Sequence, residues 1–461
     1  MVLGQANHDR CGEESEEVLP PGSRFQKIFF DGASRLTRSF PSVGSHLLDL
    51  TVRPLVGNHV LALLFQNHNE RVIRQIKSFR RFLVVPDIHI GDSVMTQAAL
   101  TGLRDFFPDA EVDYVVNKAA YPLISGNPEA SRVLPLFNSG TFPSRAELGA
   151  IRRLTADSGY DLCLNFCPYL RDRDVVSNGN AIINFMSSAP DIILNETHPG
   201  RINHFLYQHY RFTRNLFLLV ARPARRKPFK GVRLTFSDAA VEAAREFVSA
   251  AKLPPGQPTI FINPDTGSPY TRMPFEKQAE LLARLAGLEV VILLGEGHTD
   301  AGIGARLRQR VPLPLQSKIK IIPAELSLEA YSALIDFSDI FISGDTGPMH
   351  LAAVRRYSRT GRYPFRNRTA VLCTFGATPA RMSGYDSFQP GYLPANQDAP
   401  SWSFVFESSC RNITCLNKMY KTCRVIRCFE EADVEGLFRR IASYLELLSE
   451  QAPAQRGPAA A

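Results

Sequence analysis

The 461 residues carry a formal charge of +8, with 44% apolar and 21% charged residues, as in a soluble globular chain with room for two core-bearing domains. The positive excess is diffuse. It suits anionic substrates or an anionic membrane face, while no RNA-binding signature, histidine–cysteine finger or P-loop lysine motif points to nucleic acid.

The N-terminus is polar and acidic (Asp9, Glu13, Glu14, Glu16, Glu17), where a signal peptide needs basic residues and then an apolar run. A cytoplasmic protein is expected, and the glycosylation-like triplets at Asn195, Asn367 and Asn412 then read as chance matches. Eight cysteines in so long a chain do not make a disulfide scaffold. Residues 1–25 have the composition of a disordered segment. The apolar run at 47–65 is interrupted by Asp49, Arg53, Pro54 and His59 and is too broken to span a bilayer. A cationic amphipathic segment follows, with Arg71, Arg74, Lys77, Arg80 and Arg81 around Val72, Ile73, Ile76 and Phe79. It reads either as a helix lying on anionic lipid or as a helix packed on the first domain with a solvated basic face. Residues 1–81 form an N-terminal extension.

From Phe82 the pattern becomes regular. A buried strand begins at Phe82, a loop holds Asp87, His89 and Asp92, a helix is expected over 93–107 and a strand over 111–116, with further strands at 161–166 and 191–194. Strand, loop, helix and strand in that order are the unit of a parallel, doubly wound sheet, whose ligands collect at the C-terminal ends of the strands. An acceptor-side domain is assigned to 82–235 and a linker region with one helix to 236–258. The second domain, 259–446, repeats the pattern: strand at 259–263, loop at 264–274, helix at 275–285, strand at 288–294, loop at 295–300, strand at 320–322, helix at 327–335 and strand at 370–375. Residues 447–461 are expected to be a disordered tail.

Within the second domain, Asp339-Ile-Phe-Ile-Ser-Gly-Asp-Thr-Gly-Pro-Met-His-Leu-Ala-Ala-Val-Arg355 reads as a strand, a tight turn and a helix opening on Pro348. Free backbone N–H groups and the positive end of a helix dipole converge there. The turn is a seat for a phosphate, or else an ordinary connection capped by Thr346.

Four stretches in order, Gly91-Asp-Ser-Val-Met-Thr-Gln-Ala-Ala-Leu100, Phe107-Pro-Asp-Ala-Glu-Val-Asp113, Ser343-Gly-Asp-Thr-Gly-Pro-Met-His-Leu-Ala-Ala353 and Phe375-Gly-Ala-Thr-Pro-Ala-Arg381, resemble the family 9 glycosyltransferases, the ADP-heptose:lipopolysaccharide heptosyltransferases and their relatives. The resemblance runs over roughly 82–445. It implies a GT-B fold, two Rossmann-like α/β domains facing across a cleft. It also implies inverting transfer, without a metal or other cofactor, from a nucleotide-sugar donor, typically ADP-heptose, to a glycan or glycolipid acceptor. On the matching positions, Asp92 takes the place of the catalytic base, with a helix N-cap as its bland reading. Asp345, Thr346, Gly347 and Pro348 take the donor diphosphate and sugar seat, and Thr266 and Gly267 a second phosphate loop. Leu326 flanks the base, Glu296 and Asp300 compete for the ribose, and His350 either contacts the ligand or packs on a neighbouring strand. Asp87 and His89 fall on the acceptor side.

Three departures stand out. Relatives carry Lys-x-Trp-Pro where this chain has Thr271-Arg-Met-Pro274, so Arg272 is the candidate replacement for the donor-neutralising lysine. The connection from Arg355 to Arg368 is long and basic, and reads as an acceptor-receiving surface or a solvated loop. The extension before residue 82 is the third. Cys410, Cys415, Cys423 and Cys428, within the cysteine-rich segment 410–428, are either reduced structural thiols or four ligands for zinc or iron. The expected function is sugar transfer to a cell-surface glycan at the inner face of the membrane. The alternatives are another nucleotide sugar, a protein or small-molecule acceptor, or a nucleotide-sugar-binding protein without catalysis.

Overall fold

In the computed structural model the described residues are 79–138, 143–167, 181–184, 209, 213, 232–254, 256–268, 271–355, 368–376, 383–385, 401–405, 429 and 432–455. The segments 181–184, 401–405 and 451–455 are described by backbone alone. All of them fall within one compact unit, Glu70–Ala461. The N-terminal segment through residue 78, the strand expected at 191–194, the basic connection beyond Arg355 and Cys410, Cys415, Cys423 and Cys428 lie outside the described residues.

The first lobe is built on β1 (Arg81–Val85), β2 (Glu111–Asn117), β3 (Arg132–Phe137), β4 (Leu162–Asn165) and β5 (Ala181–Asn184). Its helices are α1 (Ile90–Met95), α2 (Gln97–Arg104), α3 (Tyr121–Ile124) and α4 (Arg145–Ser158). The strands pair in parallel in the order β3-β2-β1-β4-β5. Helices cover both faces of such a sheet, so its central strands are apolar throughout rather than alternating. Phe82, Leu83, Val84 and Val85 are accordingly all buried. The helix α4, which the sequence reading passed over, starts at a capping box in which Ser144 and Glu147 satisfy each other's backbone N–H, and stops at Gly159 with φ of 60°.

The second lobe holds β6 (Thr259–Asn263), β7 (Val291–Gly295), β8 (Ile319–Ile322), β9 (Ile340–Gly344), β10 (Ala370–Phe375) and β11 (Ser401–Val405) in the order β11-β10-β9-β6-β7-β8. Around them lie α5 (Asp238–Ala250), α6 (Phe275–Ala286), α7 (Ile303–Gln309), α8 (Leu328–Ile335), α9 (Gly347–Val354) and α10 (Val434–Gln455). Both sheets are doubly wound. In each the strand order reverses beside the first strand, β1 between β2 and β4 and β6 between β7 and β9, and the crevice at that switch point is where ligands bind.

Several boundaries differ from expectation. The strand expected from Leu288 begins at Val291, and the helix expected over 93–107 is two helices, 90–95 and 97–104, meeting at Thr96. Pro348 is the second residue of α9, since Gly347 opens it. The chain crosses between lobes in one short step. The Thr235 N–H donates to the Leu123 carbonyl of the first lobe (2.8 Å), and its hydroxyl reaches the Pro122 carbonyl (3.1 Å). Two residues on, the Ser237 N–H and hydroxyl donate to Glu329 on α8 of the second lobe, at 2.5 and 3.1 Å. Helix α5, capped by Ser237, then packs along α8.

Candidate active site

On the first-lobe side the site begins where β1 ends. The Ile88 N–H donates to Asp87 Oδ1 (2.7 Å), turning the chain sharply, and exposed His89 is the N-cap of α1. Asp92 therefore sits inside the first turn of α1, not at a cap as its bland reading has it. The reason is tertiary. Asn117 Nδ2 donates to the Ile88 carbonyl (2.7 Å), the Asn117 N–H to Ser93 Oγ (3.0 Å) and Tyr114 Oη to the Ser93 carbonyl (2.5 Å). The end of β2 thus draws the loop into an earlier helical turn.

Asp92 keeps partial access to solvent. Removal from water, then the neighbouring Asp87 charge, push its pKa up to about 8; Asp345 adds to the rise and His350 opposes it. Two of those three neighbours, Asp345 and His350, belong to the other lobe.

That second side is the turn between β9 and α9. Asp345, 13% exposed, lies 3.6 Å from His350 Nε2, and His350 Nδ1 meets Tyr385 Oη at 3.1 Å. His350 is buried, but its neighbour across the cleft is α1 rather than a strand: a Cβ on Gly91 would come within 2.5 Å of His350 Cδ2. Reciprocally, a Cβ on Gly347 would come within 2.9 Å of Ile90 Cβ. The N-terminal ends of α1 and α9 are in contact, and both need glycine there. The N-terminal end of α9 favours an anion on its side of the cleft, while the carboxylates of Asp87, Asp92 and Asp345 oppose negative charge and offer proton-accepting oxygens.

The loop at Thr266 and Gly267, expected to contact a second phosphate, is more self-contained. Thr266 donates its hydroxyl to the Ser268 carbonyl (2.6 Å) and accepts from Thr271 Oγ1 (3.0 Å), while Gly267 is exposed with open space where a Cβ would stand. Gly344 lets this loop approach, since a Cβ there would meet the Thr271 carbonyl at 2.3 Å. Arg272, with Thr266, Ser343 and Gly344, lines a recess at the ends of β6 and β9. Its Nη1 bonds Asp265 Oδ1 (3.1 Å) and Asp300 Oδ2 (3.0 Å).

Asp300 also accepts from Arg306 (2.6 Å); that bond and the two guanidinium charges hold its pKa below the usual carboxylate range. Glu296 Oε2 accepts the Ala305 N–H at 3.1 Å in the first turn of α7, and half-buried Leu326 packs against the core. Both acids put forward for the ribose thus already hold protein partners.

Residues 214–356 match the family described as glycosyltransferase family 9 (heptosyltransferase). That stretch, under a third of the chain, is similar to the family 9 glycosyltransferases. The fold agrees: the glycosyl transferase family 9 protein of Veillonella parvula DSM 2008 superposes with a TM-score of 0.55 at 16% identity, covering 80% of this chain and 97% of that one. Escherichia coli ADP-heptose LPS heptosyltransferase II (TM-score 0.47, 15% identity, 80% and 99% covered) and E. coli heptosyltransferase WaaC with ADP (0.44, 18%, 79% and 99%) are also similar. No curated protein sequence matches the chain. The GT-B architecture, two doubly wound sheets facing each other, explains why the two switch points supply one site.

Three contributors escaped the sequence reading. Tyr385 anchors His350 from a segment with no motif of its own. Asp265 stands directly before Thr266 and Gly267, and its adjacency to that loop was the available signal. Tyr114 looks like any strand aromatic until its hydroxyl is seen to fix the turn carrying Asp92.

Proposed function

We propose that the chain is a family 9 glycosyltransferase, an inverting enzyme that transfers heptose from ADP-heptose to a hydroxyl of a lipopolysaccharide-like glycan, with Asp92 as base. The supporting observation is the closeness of Asp92, on the first lobe, to Asp345 and His350 beside the N-terminus of α9 on the second. The acceptor hydroxyl gives its proton to Asp92 as its oxygen attacks the anomeric carbon on the face opposite the nucleotide. The bond from that carbon to the diphosphate oxygen breaks, and ADP departs with one more negative charge. The backbone N–H groups opening α9 stabilise that charge where it develops.

A base whose pKa lies well above that of an ordinary carboxylate is a stronger proton acceptor, at the cost of being protonated at lower pH. Asp92→Asn is expected to lower kcat by roughly 10²–10⁴-fold while the ADP dissociation constant stays within about twofold. Retained turnover in a coupled ADP-release assay would remove Asp92 from this role. A second reading, a different nucleotide sugar, is favoured by one observation: the cation replacing the lysine of relatives is bound to two carboxylates. Calorimetry with ADP, UDP, GDP and dTDP separates the two, since a preference for any nucleotide but ADP discards the heptose.

A further inference from the structure

Asp265 is 7% exposed, and every oxygen of its side chain is committed. Oδ2 accepts the consecutive N–H groups of His298 (2.9 Å), Thr299 (2.5 Å) and Asp300 (3.0 Å). Successive N–H groups converging on one point form a nest of the kind that binds anions, and here the chain's own carboxylate fills it. The other oxygen, Oδ1, faces Arg272 Nη1 at 3.1 Å. Asp265 is thereby fixed independently of Arg272, while Arg272 depends on Asp265.

The geometry at Arg272 is one-sided. Both of its carboxylate partners, Asp265 and Asp300, bond the same nitrogen, Nη1, and Nε and Nη2 make no hydrogen bond among the described residues. A guanidinium presents its donors in a rigid plane, so holding one corner aims the rest. Arg272 lines the recess with Thr266, Ser343 and Gly344, beside the turn that opens α9. We infer that Asp265 is a positioning residue that pins one corner of Arg272 so that its remaining N–H groups face the diphosphate of the donor. Asp300 shares this task rather than binding ribose. The inference rests on the nucleotide-sugar reading above. It also answers how an arginine one position from the lysine of relatives can serve: the direction of its side chain is set by two carboxylates rather than by its place in the chain.

Asp265→Asn tests this because an amide has one accepting oxygen where the carboxylate has two. Either the nest or Arg272 must lose its acceptor. Calorimetric binding of ADP and of adenosine would be compared for the wild type, Asp265→Asn, Arg272→Ala and the double variant, with melting temperatures alongside. The expected result is about a tenfold loss of ADP affinity in Asp265→Asn, unchanged adenosine affinity, and no further loss when Arg272→Ala is already present. A purely structural role would lower the melting temperature but leave the two effects on ADP binding additive. Additive effects, or ADP affinity within about twofold of the wild type in either single variant, overturn the inference. If the wild type binds none of ADP, UDP, GDP and dTDP, the donor reading falls and this inference with it; if it binds ADP but the variants do not couple, this inference alone falls. Should Asp265→Asn fail to fold, Asp300→Asn releases the other carboxylate and enters the same cycle, with the same coupling expected and additivity again fatal.

Discussion

The surroundings of Asp92 disfavour its charged form, and this has consequences for stability as well as rate. An unfolded carboxylate titrates near 4, while the folded one is pushed up to about 8. Between those values the folded chain keeps the proton that the unfolded chain has released, so stability falls as pH rises through that window and levels off above it. Asp92→Asn removes the penalty. Allowing for its partial solvent access, the variant should be roughly 1–3 kcal/mol more stable than the wild type at a pH of about 8.5 and no more stable near 4. Thermal melts across that range check the sign, and a difference independent of pH would mean that Asp92 is not desolvated. On the proposed role of Asp92 as base, turnover of the wild type should rise over the same window, as the base form becomes populated. Asp92 was legible in the sequence because its motif is contiguous. Its environment was not, because Asp87 is nearby in the chain while Asp345 and His350 are more than 250 residues away.

The decisive elements are α1 and α9, whose N-terminal turns touch. Gly91→Ala would set a methyl group 2.5 Å from His350 Cδ2, and His350 has little room to yield because it is buried and Tyr385 Oη holds its Nδ1 at 3.1 Å. The expected cost is about 1–3 kcal/mol of stability, with turnover falling along with it. Gly267→Ala is the matched control: nothing lies within 4 Å of the new Cβ, so stability should change by no more than about 0.5 kcal/mol. Equal melting temperatures for the two variants would show that the lobes do not meet at Gly91. The strand, turn and helix around Asp345 were legible from local chemistry, since β-branched and aromatic residues, then Gly-Asp-Thr-Gly-Pro, leave few alternatives. The start of α1 was not, because Asn117 and Tyr114 on β2 settle it through hydrogen bonds that no local pattern encodes. The same holds for Arg272, whose neighbours Asp265 and Asp300 come from two different loops.

At the scale of the whole molecule, alternation of apolar strands and helices was enough to indicate two doubly wound sheets, while elements of weaker pattern such as β3, α4 and α10 emerged only with the fold. The sheets bring their switch points together although the chain passes between them in one residue, Phe236, with Thr235 fastened to one lobe and Ser237 to the other. Nothing in that step is slack. A single glycine inserted after Phe236 lengthens the path by up to about 3.5 Å. Both sheets should still fold, giving an unchanged far-ultraviolet dichroism spectrum; on the proposed function, ADP should still bind the second lobe, yet sugar transfer should fall at least about tenfold because near-attack geometry tolerates so little displacement. Full activity in the inserted chain would mean that the lobes find each other without help from this step. The length of the tether is thus a ruler for the reaction: two halves that each fold and bind correctly can be made inactive by the spacing between them alone.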